Sequence, residues 1–134
     1  MSPTKLDTLE TVCKALADAT RLRILHLLHA GEVCVCEIHE SLKLPQSKVS
    51  RHLAYLRATE MVTARKDGLW VHYRLARWSD PAVQQLVDSA VHAVSHVPDA
   101  ERDVRRMAKV TCCDVPGQPG GTFACCAGAT PEAR

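Results

Sequence analysis

Aromatic side chains are scarce. Among 134 residues there are one Phe, two Trp and two Tyr, 4% in all. Aliphatic side chains must therefore build the core, which favours helices over an aromatic-rich β fold. Long apolar runs are missing as well. No stretch approaches the roughly 20 apolar residues of a membrane span. Asp7 and Glu10 interrupt any apolar run near the start, so no signal-peptide pattern is read there. The expectation is a cytoplasmic protein with no membrane partner. No Cys-x-x-Cys motif occurs, and no glycine loop cradles an anion. A thiol-based arsenate or disulfide reductase lacks its working parts here. No catalytic residue and no organic cofactor are expected. A large charge excess is absent too, since the formal net charge is +2. That argues against a protein that coats nucleic acid indiscriminately.

What is present is more specific. Hydrophobic residues make up 46% of the chain, enough for one folded domain with a modest core. The charges are unevenly placed. Residues 45–77 carry seven basic side chains (Lys48, Arg51, Arg57, Arg65, Lys66, Arg74, Arg77) and two acidic ones, while the segments on either side are weakly acidic. Local positive charge of this kind is the footprint of a phosphate-binding surface. Seven cysteines occur: Cys13, Cys34, Cys36, Cys112, Cys113, Cys125 and Cys126. In a reducing compartment, clustered cysteines argue for metal binding or redox sensing rather than a disulfide framework.

Hydrophobic spacing predicts a first helix from about Pro3 to Ala17 and a second through Leu22, Leu25 and Leu28, capped by Asp18 or Thr20 and ended by Gly31. A short third helix carries Val35, Ile38 and Leu42. After a tight break at Lys43-Leu44-Pro45, a fourth helix presents Val49, Leu53 and Leu56 on one face. The period then changes. Val62 to Lys66 and Trp70 to Leu75 alternate as strands, with Asp67-Gly68 as a hairpin turn. Asp80-Pro81 opens a fifth helix lined by Val83, Val87, Ala90 and Val94. Residues 1–97 thus read as a DNA-binding and dimerisation domain, 98–111 as a short helix and 112–134 as a flexible cysteine-rich tail.

The third and fourth helices form a helix-turn-helix, and the basic hairpin forms a wing. The fold class is mainly α with a small β-hairpin. Gln46, Ser47, Lys48, Ser50, Arg51 and His52 supply donors suited to base edges and phosphates. Arg65 and Lys66 flank the wing turn. A single winged-helix unit makes few base contacts, and a two-fold dimer doubles them. The face at 83–94 has no obvious partner in so small a chain, which points to a dimer interface.

Three blocks carry a resemblance. They are Leu16-Ala17-Asp18-Ala19-Thr20-Arg21-Leu22-Arg23-Ile24-Leu25, then Leu44-Pro45-Gln46-Ser47-Lys48-Val49-Ser50-Arg51-His52-Leu53, then Arg65-Lys66-Asp67-Gly68-Leu69-Trp70-Val71-His72-Tyr73-Arg74-Leu75. In this order they resemble the ArsR/SmtB family of metal-responsive repressors over roughly residues 10–95. The resemblance implies a winged helix-turn-helix homodimer joined through its first and last helices. It also implies an inverted-repeat operator in double-stranded DNA and release on metal binding.

Glu32-Val33-Cys34-Val35-Cys36-Glu37-Ile38 is similar to the arsenic-sensing motif of that family. Thiolates select soft ions, and As(III) or Sb(III) prefers three sulfurs in a pyramid. On a regular helix, Cys34 and Cys36 lie about 200° apart, so both reach one atom only if the helix start is frayed or unwinds. His39 stands where a third cysteine would follow, and it is a poor arsenic ligand. Cys13 lies on the apolar face of the first helix and reads as core. Cys112, Cys113, Cys125 and Cys126 are the secondary candidates for metalloid ligation. Asp88, His92 and His96 share one helix face but do not match the family zinc pattern. The expected function is an arsenite-responsive repressor of a metalloid-resistance operon. A cadmium-, lead- or zinc-responsive repressor and a thiol redox or persulfide sensor remain open beside it.

Overall fold

The structure is a computed structural model that describes residues 4–110. The expectations for Cys112, Cys113, Cys125, Cys126 and the tail 112–134 lie outside those residues. The order of elements is α1 (Lys5–Leu16), α2 (Ala19–His29), β1 (Val33–Cys34), α3 (Val35–Leu42), α4 (Gln46–Ala58), β2 (Val62–Asp67), β3 (Trp70–Leu75), α5 (Pro81–Val94) and α6 (Pro98–Met107). This is a winged helix-turn-helix. Among the described residues, no helix is long and apolar enough to cross a membrane.

Local chemistry places the helix ends. Thr4 and Asp7 form a reciprocal capping box at α1. Asp18 caps α2 by accepting from the Arg21 N–H at 3.0 Å. Asp80 caps α5, with Pro81 at its first position. Lys43 ends α3 in the left-handed region, at φ 58° and ψ 42°. There the Leu44 N–H turns back to the His39 carbonyl at 3.2 Å and sets the helix-turn-helix bend.

The core gathers Val12 and Ala15 of α1, Ile24, Leu25, Leu27 and Leu28 of α2, Ile38 and Leu42 of α3, and Val49, Leu53 and Leu56 of α4. Val83, Val87 and Val91 of α5 join it. Three expectations are corrected here. First, the stripe of α5 at 83–94 packs against α2 within the chain, with Val83, Val87, Val91 and Val94 all buried. It is therefore not an unpartnered face. Ala90 is only half-buried, and Val91 takes the core position because the stripe drifts around the helix. Second, Cys13 is exposed rather than core. Val12 and Ala15 occupy the inward positions, and Cys13 shares the outer face with Leu6, which is also exposed. Third, the hairpin turn is Gly68-Leu69, because Asp67 pairs with Trp70 as the last rung. Gly68 has φ +64°, the left-handed conformation that a tight two-residue loop demands at its first position.

The wing is more than a hairpin. β1 adds to it as a third antiparallel strand, in the order β1-β3-β2. Val33 pairs with Tyr73 and Cys34 with His72.

Candidate DNA-binding face and sulfur site

Helix α4 has the two faces a reading helix needs. Val49, Leu53 and Leu56 are fully buried. Ser47, Lys48 and Arg51 are exposed, while Ser50 and His52 are half-buried. Gln46 is also half-buried, and its Nε2 is tucked inward with no hydrogen-bond partner among the described residues. Gln46 is therefore the least available of the six predicted base-reading side chains. Burial pushes the His52 imidazole below its ordinary value, against the opposing pull of Asp18.

Arg21 orients this helix, and sequence reasoning gave it no role. It donates to the Ala15 carbonyl at 2.9 Å and the Lys14 carbonyl at 3.0 Å, closing the C-terminal end of α1. Its guanidinium also stands 4.1 Å from the ring centroid of Tyr55 on α4. The Asp18-Arg21 spacing inside the first family-like block was the available signal.

On the wing, Lys66 is exposed, and Leu69 is exposed at the tip. Arg65 is already engaged. It makes a two-pronged pair with Glu32, at 2.6 and 3.1 Å. This guanidinium holds the Glu32 carboxyl below the usual range. Glu32 immediately precedes β1. In the sheet, Arg65 and Cys34 both lie opposite His72, one on each side of β3.

The sulfurs of Cys34 and Cys36 approach to 2.7 Å, both buried. The sulfurs meet because the start of α3 is not helical at Cys34. Cys34 is not on the helix. It sits in the N-cap place with extended backbone, φ −87° and ψ 161°. Only Cys36 has entered the first turn, so the 200° separation of a regular helix does not apply. Cys34-Val35-Cys36-Glu37 is a capping box with sulfur in the place of a hydroxyl. The Cys34 N–H donates to the Glu37 carboxylate at 3.2 Å. Burial pushes the Cys34 thiol well above its ordinary value.

The opposite end of α3 is held by ions. Asp103 of α6 is fully buried and accepts from Arg23 through both carboxylate oxygens, at 2.8 Å each. It also accepts from Arg106 at 2.8 Å. Those arginines donate onward to the last carbonyls of α3: Arg106 to Ser41 at 2.6 Å and Arg23 to Leu42 at 3.2 Å. Helix α6 is thereby bolted to α2 and α3. Asp88, His92 and His96 are exposed on α5, and His92 and His96 meet edge-to-face at 5.0 Å. Among the described residues, no three His, Cys, Asp or Glu side chains are placed to hold a metal ion.

Residues 18–64 match the family described as "Bacterial regulatory protein, arsR family". The chain is 44% identical over 96 residues to the arsenic resistance transcriptional regulator ArsR1 of Pseudomonas putida, covering 68% of this chain and 73% of the relative. It is 41% identical over 100 residues to the arsenical resistance operon repressor of Escherichia coli, covering 74% and 84%. Among solved structures, it is similar to the homodimeric winged helix-turn-helix DNA-binding domain of a possible ArsR-family transcriptional regulator from Mycobacterium bovis. That likeness has 31% identity and a TM-score of 0.56, and it covers 72% of this chain and 94% of that one.

Proposed function

Since the chain belongs to the arsR family of bacterial regulatory proteins, we propose that it is an arsenite-responsive repressor of a metalloid-resistance operon. The observation that carries this reading is the buried pair of sulfurs at the junction of wing and helix-turn-helix, 2.7 Å apart. Its action is binding and release, in the cytoplasm where the operator lies, rather than catalysis. The names of the relatives support an arsenical as signal. So does charge. Arsenite is neutral, and its trithiolate product is neutral. A divalent cation on three thiolates leaves a net negative charge in a buried site, which is costly without a partner. The raised thiol of Cys34 has the same bearing: condensation with arsenite needs no free thiolate in the resting state.

The DNA contacts are assigned to Ser47, Lys48, Ser50, Arg51 and His52 on α4, with Gln46 after a side-chain rotation. Lys66 at the wing meets the phosphate backbone, and Arg65 does so if it leaves Glu32. Two chains pair on an inverted repeat. Helices α1 and α5 lie side by side, tied by Lys5 and Asp80 at 3.3 Å. The outer face of α1, with Leu6 and Cys13, supplies the apolar surface that the inner stripe of α5 does not. The homodimeric relative supports the pairing of two chains.

Coupling runs through the sheet as well as through α3. A ligand that repositions Cys34 pulls on His72 and Glu32, and through them on Arg65 and the wing. A coupling of about 3 kcal/mol makes operator binding roughly 150-fold weaker when ligand is bound. The close sulfurs also favour a second reading, release on oxidation to a disulfide.

The test is operator binding by fluorescence anisotropy under strong reductant. Arsenite is expected to release the wild type, and Cys34→Ser with Cys36→Ser is expected to stay bound. Release that needs an oxidant selects the redox reading. Normal arsenite release of the double variant rejects this site. Arg51→Ala should lose about 1–3 kcal/mol of operator affinity, and unchanged affinity would reject α4 as the reading helix.

A further inference from the structure

Arg65 is a wing cation that already has an anion. Its Nη2 and Nε donate to the two carboxylate oxygens of Glu32, at 2.6 and 3.1 Å. A looser contact, to the Asp67 carboxylate, is 3.8 Å. Glu32 stands just before β1 and Arg65 lies on β2, with β3 between those strands. The pair therefore reaches across the middle strand from one edge of the sheet to the other. His72 and Arg74 of β3 also act on the Glu32 carboxylate through their charge. One carboxylate thus faces cations from two strands of the wing.

The position of this pair gives it little weight in stability. The Arg65 side chain is 54% exposed and that of Glu32 31%. Ion pairs open to water contribute little to folding, and salt screens them. The geometry, by contrast, is that of phosphate recognition. A guanidinium fork on two oxygens of one anion is how arginine takes a phosphate of the DNA backbone. Arg65 cannot offer the same fork to both anions. An Arg65–phosphate contact must break the Arg65–Glu32 contact, and it leaves an ionised carboxylate beside the duplex.

We propose that Glu32 is an internal stand-in for a DNA phosphate, holding the Arg65 fork in the free protein and competing with the sugar-phosphate backbone for it. Glu32 is then a positioning residue that acts on DNA through Arg65. This deepens the DNA-binding reading above and rests on it, but not on the identity of the inducer. The competition weakens the grip of the wing. It also lowers the salt dependence, because the carboxylate left behind holds back a cation that the DNA gives up. It acts alike on every sequence, since a phosphate contact carries no base information. Discrimination between sequences is left to α4.

The test measures binding of the full chain to an operator duplex and to a scrambled duplex across a salt series. Glu32→Gln keeps the shape of the side chain and removes its charge. At low salt it should bind both duplexes about 5-fold tighter, the effect of removing one weak competing ion pair from each of two subunits. The slope of log affinity against log salt should steepen by about 0.9 per subunit. Arg65→Ala should weaken binding to both duplexes, and in that background Glu32→Gln should add nothing. A pair that only braces the wing predicts the reverse: Glu32→Gln would lose affinity and melt at a lower temperature, as Arg65→Ala would. Unchanged or weaker binding by Glu32→Gln therefore overturns the inference. So does an equal gain in the Arg65→Ala background, because the carboxylate would then repel DNA without acting through Arg65. A wild type that binds neither duplex overturns the DNA-binding reading itself, and the inference with it.

Discussion

The two ends of α3 are held by opposite kinds of chemistry. At the N-terminal end, Cys34 and Cys36 stand where most helices place a hydroxyl cap, and the chain before them is a two-residue strand on the wing. At the C-terminal end, a buried carboxylate and two guanidiniums clamp the last carbonyls. The first end carries two sulfurs and a capping carboxylate, Glu37, that accepts from the Cys34 N–H. The second is ionic and closed. On the proposed reading, a ligand on sulfur acts at the first end, and the ionic end is the fulcrum.

Breaking the fulcrum should have the largest effect. Asp103→Ala strands Arg23 and Arg106 without their counter-charge, and about 3 kcal/mol of stability should be lost. For a domain of this size the melting temperature falls by roughly 10 °C or more, measured by circular dichroism. A loss under half of that would show that the clamp is dispensable. Glu37→Ala strikes the soft end. It removes the acceptor for the Cys34 N–H and should cost about 1 kcal/mol, the typical value of a cap. A chemical-denaturation midpoint moved as far as by Asp103→Ala would erase the asymmetry between the ends.

Lys43→Gly works the other way. Lys43 holds a left-handed conformation with φ 58°, which glycine adopts without penalty, so stability should rise by about 0.5–1 kcal/mol. Destabilisation there would mean that the Lys43 side chain, not its backbone, matters. The smallest expected effect is with pH. Burial lowers His26 and His52 from their ordinary 6.5. Each is neutral when folded and takes up its proton more readily when unfolded. Their contribution is therefore whole above about pH 6.5 and declines as pH falls from there toward the lowered folded values. Thermal melts between pH 8 and 5.5 should show a shallow loss of stability, and a rise on acidification would contradict the assignment.

Much of the architecture was legible because it is periodic. The stripe Val49, Leu53, Leu56 and the alternation Val71, Tyr73, Leu75 follow local rules, and both appear where spacing put them. The errors fall where a position is decided by what lies across the fold. Cys13 has the spacing of a core residue, but α1 is also covered on one side only, and Val12 and Ala15 take that side. The face of α5 appeared unpartnered because its partner, α2, is distant in sequence. Gly68 was recognised as a turn residue, but only strand pairing fixed the loop one residue later than Asp67-Gly68.

The sulfur site shows the division most sharply. Residue types alone marked a short helix with basic and polar side chains as the candidate binding face, and Cys34 and Cys36 as soft donors. Helical spacing alone would set those sulfurs on opposite sides unless the helix start is frayed or unwinds. Tertiary structure decided otherwise, because Cys34 pairs with His72 across the sheet and is drawn off the helix into extended backbone. A hydrogen-bonded rung between distant segments overrides a local period, and that rung goes with the approach of the two sulfurs to 2.7 Å.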